Sequence, residues 1–135
     1  MKASIVIANY NSAEFIEDCI NSLKSQTYKN IEIIFFDDNS HDNSIEIIEK
    51  HKNIKIVKNK SQTNFGSLNQ INAYKKAIEL STGDVIFFLD SDDYFHQNKI
   101  EKIIDLFIKN DDRMIIFDFP ILLKENQKII QKKNN

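Results

Sequence analysis

Glycine and proline are nearly missing, with 2 Gly and 1 Pro in 135 residues. A fold that needs many left-handed or rigidly kinked backbone positions is disfavoured. Cys19 is the single cysteine, which excludes an intramolecular disulfide and fits a reducing compartment. No apolar run approaches the roughly 18 residues of a membrane span. The opening MKASIVIANYN turns polar too soon for a signal peptide. The expectation is therefore a cytoplasmic protein. Charge of one sign is lacking too: a net −2 gives no general attraction for nucleic acid or an anionic membrane. The glycine loops G-x-x-x-x-G-K-[ST] and G-x-G-x-x-G are absent, so a bound phosphate would have to be held by other means. Repeats and low-complexity segments are absent as well.

What remains is an alternation of β-branched runs and amphipathic segments in a chain long enough for one domain. Residues 3–8, 31–38, 54–59, 84–90 and 113–123 read as strands. Residues 11–26, 41–52, 67–81 and 98–110 carry helical spacing, the first with Asn11 or Ser12 as a cap. Gly83 reads as a helix-ending residue before the fourth strand. The pattern predicts a three-layer α/β domain with a mostly parallel sheet over 1–123, followed by a polar tail over 124–135, frayed or partly helical.

In such sheets ligands sit beyond the carboxyl ends of the strands. Three polar clusters occupy those ends: Asn9-Tyr10-Asn11, Asp37-Asp38-Asn39-Ser40 and Asp90-Ser91-Asp92-Asp93. The last follows an apolar strand, and carboxylates so close repel one another unless something neutralises them. A divalent cation carrying a diphosphate would do so, because Mg²⁺ and Mn²⁺ prefer oxygen ligands and complete their shells with phosphate and water. The plain alternative is a solvated turn. A carboxylate at Asp38 can accept a hydrogen bond from a base or ribose, or the DDNSHDNS stretch can simply cap a helix. Tyr10 can stack on a nucleobase or pack at the rim. His41, His51 and His96 lack ligand spacing and read as surface histidines, Cys19 as core, and Lys75-Lys76 as a solvated helix face from which one lysine could reach a diphosphate.

SIVIANYNSAEFIEDCINSLKSQTYKNIEIIFFDDNSHDNS followed by STGDVIFFLDSDD resembles the family 2 glycosyltransferases of the GT-A fold, over residues 2 to about 119. The resemblance implies a Rossmann-like GT-A domain that binds a nucleotide-diphosphate sugar, with UDP-sugars foremost, and transfers the sugar with inversion. It implies that Ala8, Tyr10 and Asn11 border the nucleobase pocket and that Asp38 bonds the base. Asp90 would contact the ribose, Ser91 would belong to the substrate-binding set, and Asp92 would hold Mn²⁺ or Mg²⁺. Asn64, Gly66 and Asn72 would lie in the segment lining the nucleotide. The acceptor would be a polysaccharide, lipid-linked or other glycan, met by a bacterial protein at the inner face of the membrane.

The chain departs from the family at Ala8, often a proline, and lacks the usual Ala-Arg-Asn run between Gly66 and Gly83. It supplies no convincing general base; Glu125 lies in the polar tail. The expectation is the donor-binding half of a transferase, C-terminally truncated, with an unfinished sheet edge open to self-association. A nucleotidyltransferase and a non-catalytic interaction module are the other readings, the first lacking its glycine- and basic-rich loop. A receiver-like domain would want an Asp after the third strand, where the chain reads IVKNKS.

Overall fold

The computed structural model describes residues 1–59, 66–110, 115–116, 122–123 and 129–130. β1 (Ala3–Asn9), β2 (Ile31–Asp37), β3 (Ile54–Lys58) and β4 (Val85–Asp90) form one sheet in the order β3-β2-β1-β4. Each pairing in it is parallel. Helices α1 (Ile16–Lys24), α2 (Ser44–Ile48), α3 (Gly66–Glu79) and α4 (Lys99–Lys109) connect or follow the strands.

The order explains the layers. From β1 to β3 the chain steps in one direction, then jumps back across the sheet to β4. Parallel crossovers are right-handed, so reversing the step moves the connecting helix to the opposite face. Accordingly Ile16, Cys19 and Ile20 of α1, Ile48 of α2 and Ile100 and Ile104 of α4 pack with Ile5, Ile7, Phe35 and Phe87. Ala73 and Ala77 of α3 pack with Val6, Ile34 and Phe36 on the other face. Each fully buried Ile or Phe contributes about 1.5–3 kcal/mol through area removed from water. The central strands β1 and β2 read as continuous apolar runs because both faces are covered. β4 alternates instead: Val85, Phe87 and Leu89 are buried, whereas Phe88 is exposed.

Several expectations are corrected. α1 begins at Ile16, and neither Asn11 nor Ser12 caps it. Asn11 sits at φ 50°, and the Ala13 N–H donates across to Asp42 Oδ2 at 2.9 Å, so a neighbouring loop satisfies what a local cap would have. α2 is only Ser44–Ile48, with Asp42 Oδ1 accepting from the Ser44 N–H at 3.0 Å. Gly83 lies beyond the end of α3 and its φ is not positive. Its role is close approach: a Cβ there would meet the Ser4 Oγ at 2.6 Å, the Ser4 nitrogen at 2.7 Å and the Lys2 carbonyl at 2.9 Å. His51 is no surface histidine, since its ring lies between the Lys24 Nζ at 2.8 Å and Glu17 Oε2 at 3.3 Å.

Of the strand expected over 113–123, residues 113–114 and 117–121 lie outside the described residues, and Ile115 and Ile116 have no regular structure. β5 (Leu122–Leu123), the end of that expected strand, pairs antiparallel with β6 (Ile129–Ile130), which lies in the stretch read as a frayed or partly helical tail.

Candidate functional site

A cavity of about 490 Å³ opens where the strand order reverses, at the carboxyl ends of β1 and β4 and against the first turns of α3. That is where an open α/β sheet parts its loops and leaves room for a ligand. Ala8, Asn9, Tyr10 and Ser12 line it from β1 and the loop after it; Asp38 lines it from the end of β2. Asp90, Ser91 and Asp92 line it from the end of β4, and Gly66, Asn69, Gln70 and Ala73 from α3.

The first two loops are tied together by one buried carboxylate. Asp37 Oδ1 accepts from Asn9 Nδ2 at 2.7 Å and from Ser40 Oγ at 2.6 Å, while Oδ2 accepts from the Ser40 N–H at 3.1 Å. Ser40 Oγ in turn accepts from the Asn11 N–H at 3.0 Å, and Asn11 Oδ1 accepts from the His41 N–H at 2.8 Å. Asn11 and Asn39 hold left-handed conformations, which asparagine tolerates better than other non-glycine residues. Adjacent Asp37 and Asp38 therefore differ in kind. Asp37 holds the loops, whereas Asp38, buried yet lining the cavity, accepts from Asn59 Nδ2 at 2.7 Å and turns toward the ligand space.

The acidic turn closes the other side. Ser91 is buried, its N–H donating to the Ala8 carbonyl at 3.1 Å, and Asp92 is exposed. Asp90 Oδ1 accepts from Gln70 Nε2 at 2.9 Å and from the Tyr74 hydroxyl at 2.5 Å. The field of the turn is felt around it. The Asp93 carboxyl is raised by partial burial, then by Asp92 and Asp90, with Lys99 partly offsetting this. The Cys19 thiol behind the turn is pushed up to about 12, first by burial and then by the three carboxylates. That leaves it an inert core thiol, as expected.

The donor set fits a hard divalent cation. Carboxylates crowd one turn, and no described lysine or arginine lines the cavity. Among the described residues no three acidic, histidine or cysteine side chains converge into a protein-only cage. A site with one or two carboxylates and open positions for phosphate and water is how Mg²⁺ or Mn²⁺ is usually held.

Of the residues singled out from sequence, Ala8, Tyr10, Asp38, Asp90, Ser91, Asp92 and Gly66 come together on this cavity. Asn64 lies outside the described residues. Asn11 does not line the cavity; it braces the loop beside it. Asn72 is exposed and away from the cavity. At 3.6 residues per turn it points roughly 110° from the stripe of Gly66, Asn69, Gln70 and Ala73. Lys75 and Lys76 are also off the wall, Lys76 lying 5.9 Å over the Phe36 ring. Asn9, named from sequence only as part of its cluster, also lines the cavity, and Ser12, Asn69, Gln70 and Ala73 were missed. The signal for the α3 residues was helical spacing counted from Gly66.

The family model for Glycosyl transferase family 2 matches residues 4–134. The Escherichia coli UDP-Glc:alpha-D-GlcNAc-diphosphoundecaprenol beta-1,3-glucosyltransferase WfaP is 43% identical over 97 residues, covering 72% of this chain and 38% of the relative. The structure of Staphylococcus aureus TarS 1-349 in complex with UDP superposes with a TM-score of 0.73 at 25% identity, covering 82% of this chain and 33% of that one. A Pyrobaculum calidifontis mannosyltransferase in complex with GDP-Man and Mn²⁺ has a TM-score of 0.60 at 20% identity, covering 70% of this chain and 28% of that one. The chain spans 18–42% of the length of eight curated relatives it matches. Among the described residues no helix is long and apolar enough to cross a membrane.

Proposed function

This chain belongs to glycosyl transferase family 2 and has its GT-A fold, and on that premise we propose that it is the donor-binding part of an inverting glycosyltransferase. The donor is a nucleoside diphosphate sugar, a UDP-sugar in the first place, and the acceptor a glycan or lipid-linked glycan. WfaP is named for a UDP-linked donor and a lipid-diphosphate acceptor, which supports both choices. The observation that carries the reading is the convergence of Tyr10, Asp38, Asp90 and Asp92, from three different strand ends, on one cavity at the reversal of the sheet.

Each side chain has a role that its position suits. Tyr10 is 51% exposed at the rim, where its ring can cover one face of a base. Asp38 is fixed by Asn59 and accepts from a base N–H. Asp90 accepts from a ribose hydroxyl. Asp92, exposed beside it, holds a Mn²⁺ or Mg²⁺ ion that would stabilise the departing diphosphate as a Lewis acid. Asp38, Asp90 and Asp92 are committed to the donor, so none of them is assigned the proton of the acceptor hydroxyl.

Calorimetric titration of the full chain with UDP, first with Mn²⁺ and then with EDTA, tests this. Binding is expected to need the metal, and Asp92→Ala is expected to weaken it at least about tenfold. A folded chain that ignores UDP in the presence of Mn²⁺ would refute the proposal. Undiminished binding by the Asp92 variant would remove the metal assignment.

A further inference from the structure

We infer that Tyr74 and Gln70 are positioning residues that aim Asp90 at the ribose hydroxyls of the donor, an inference that rests on the nucleotide-sugar reading above. Neither residue touches the reacting atoms; they act through Asp90.

Gln70 and Tyr74 stand one turn apart on α3, on the same side of the helix. Both donate to the same oxygen, Asp90 Oδ1, at 2.9 and 2.5 Å. A carboxylate at a strand end ordinarily turns about two side-chain torsions. Two donors on one oxygen fix both torsions and leave Oδ2 as the acceptor presented to a ligand. The backbone beneath is equally fixed, because Asp90 is the last residue of β4 and stands opposite Ala8 in the parallel ladder.

Tyr74 is itself held. Its ring meets Phe88 edge-on, with centroids 4.9 Å apart and planes at 74°. Burial and then the bond to Asp90 push its phenol well above the ordinary range, so it remains a donor at neutral pH. The same helix gives the cavity wall at Asn69 and Ala73. The wall and the direction of Asp90 are thus set by one rigid body.

The test titrates the full 135-residue chain, in Mn²⁺, with UDP and with 2′,3′-dideoxy-UDP. Tyr74→Phe keeps the ring against Phe88 and removes only the hydroxyl. The expected result is an affinity for UDP about tenfold lower, with affinity for the dideoxy nucleotide unchanged. A thermal melt of each variant accompanies the titration. Gln70→Leu, which also alters the cavity wall, is expected to weaken binding of UDP by more than that of the dideoxy nucleotide and carries the test if Tyr74→Phe fails to fold. Equal UDP affinity in wild type and variants overturns the positioning role. So does an equal loss on both nucleotides, which marks a structural effect. Failure of the wild type to bind UDP at all sinks the nucleotide reading instead, so the two failures are told apart.

Discussion

Replacing Asp37 and Asp38 by alanine, one at a time, should give opposite results from neighbouring residues of the same type. Asp37 is 3% exposed and accepts three hydrogen bonds of 2.6–3.1 Å from Asn9 and Ser40. A hydrogen bond to a charged group contributes roughly 1.5–3 kcal/mol, and a buried donor left without a partner costs about as much. Asn9 Nδ2 and Ser40 Oγ keep their mutual bond of 3.0 Å in the variant, which limits the damage. The net loss in Asp37→Ala is then about 3–4 kcal/mol. For a chain of this size that lowers the thermal midpoint by about 10 °C or more. Asp38→Ala loses the bond from half-buried Asn59, which can turn to water, so a smaller drop than in Asp37→Ala is expected. Its deficit should appear in UDP titration instead. Circular-dichroism melts and calorimetry on both variants decide the matter. If Asp37→Ala melts like the wild type, or Asp38→Ala melts as low as Asp37→Ala, the division between support and ligand contact is wrong.

Two further outcomes follow from the far end of the sheet. Gly83→Ala places a methyl group 2.7 Å from the Ser4 nitrogen and 2.9 Å from the Lys2 carbonyl, backbone atoms that cannot swing aside. Overpacking of this kind costs about 1–3 kcal/mol, read as a lower denaturation midpoint in urea. Glu32 accepts from Lys2, Ser4 and Thr82; burial alone would raise its pKa, but these bonds outweigh it and bring it down to about 2 from 4.5. A depressed carboxylate stabilises the fold above its unfolded pKa, and that contribution disappears as pH falls from 4.5 toward 2. Glu32→Gln should therefore be less stable at pH 7 and show a shallower loss across that acid range in pH-dependent melts.

The parts of the fold legible in the sequence were those written in short-range patterns. Continuous apolar runs marked β1 and β2 because both their faces are covered. Polar clusters after β1, β2 and β4 marked the edge of the sheet that holds the cavity. What escaped were relations between distant residues. Asn11 and Ser12 look like caps, yet the nearby donor at Ala13 is met by Asp42 from the next loop. Gly83 resembles a helix stop, yet the space it leaves is needed by Ser4. Asp37 and Asp38 look alike until the packing shows one turned inward to Asn9 and Ser40. On α3 the residues facing the cavity follow only once Gly66 is known to start the helix, since a shift of one position rotates the face by about 100°.

The strand order also has a consequence in time. Ala3, in the innermost strand, pairs with Ile31 on one side and with Val85 on the other. The chain is made from the N-terminus, so β1 gains its first neighbour early and keeps its second edge open until β4 has emerged. Such pairings close long loops before contacts compensate, which slows folding. Through that interval one of the most apolar segments of the protein carries an unpaired edge, the condition under which nascent chains stick to one another or engage chaperones.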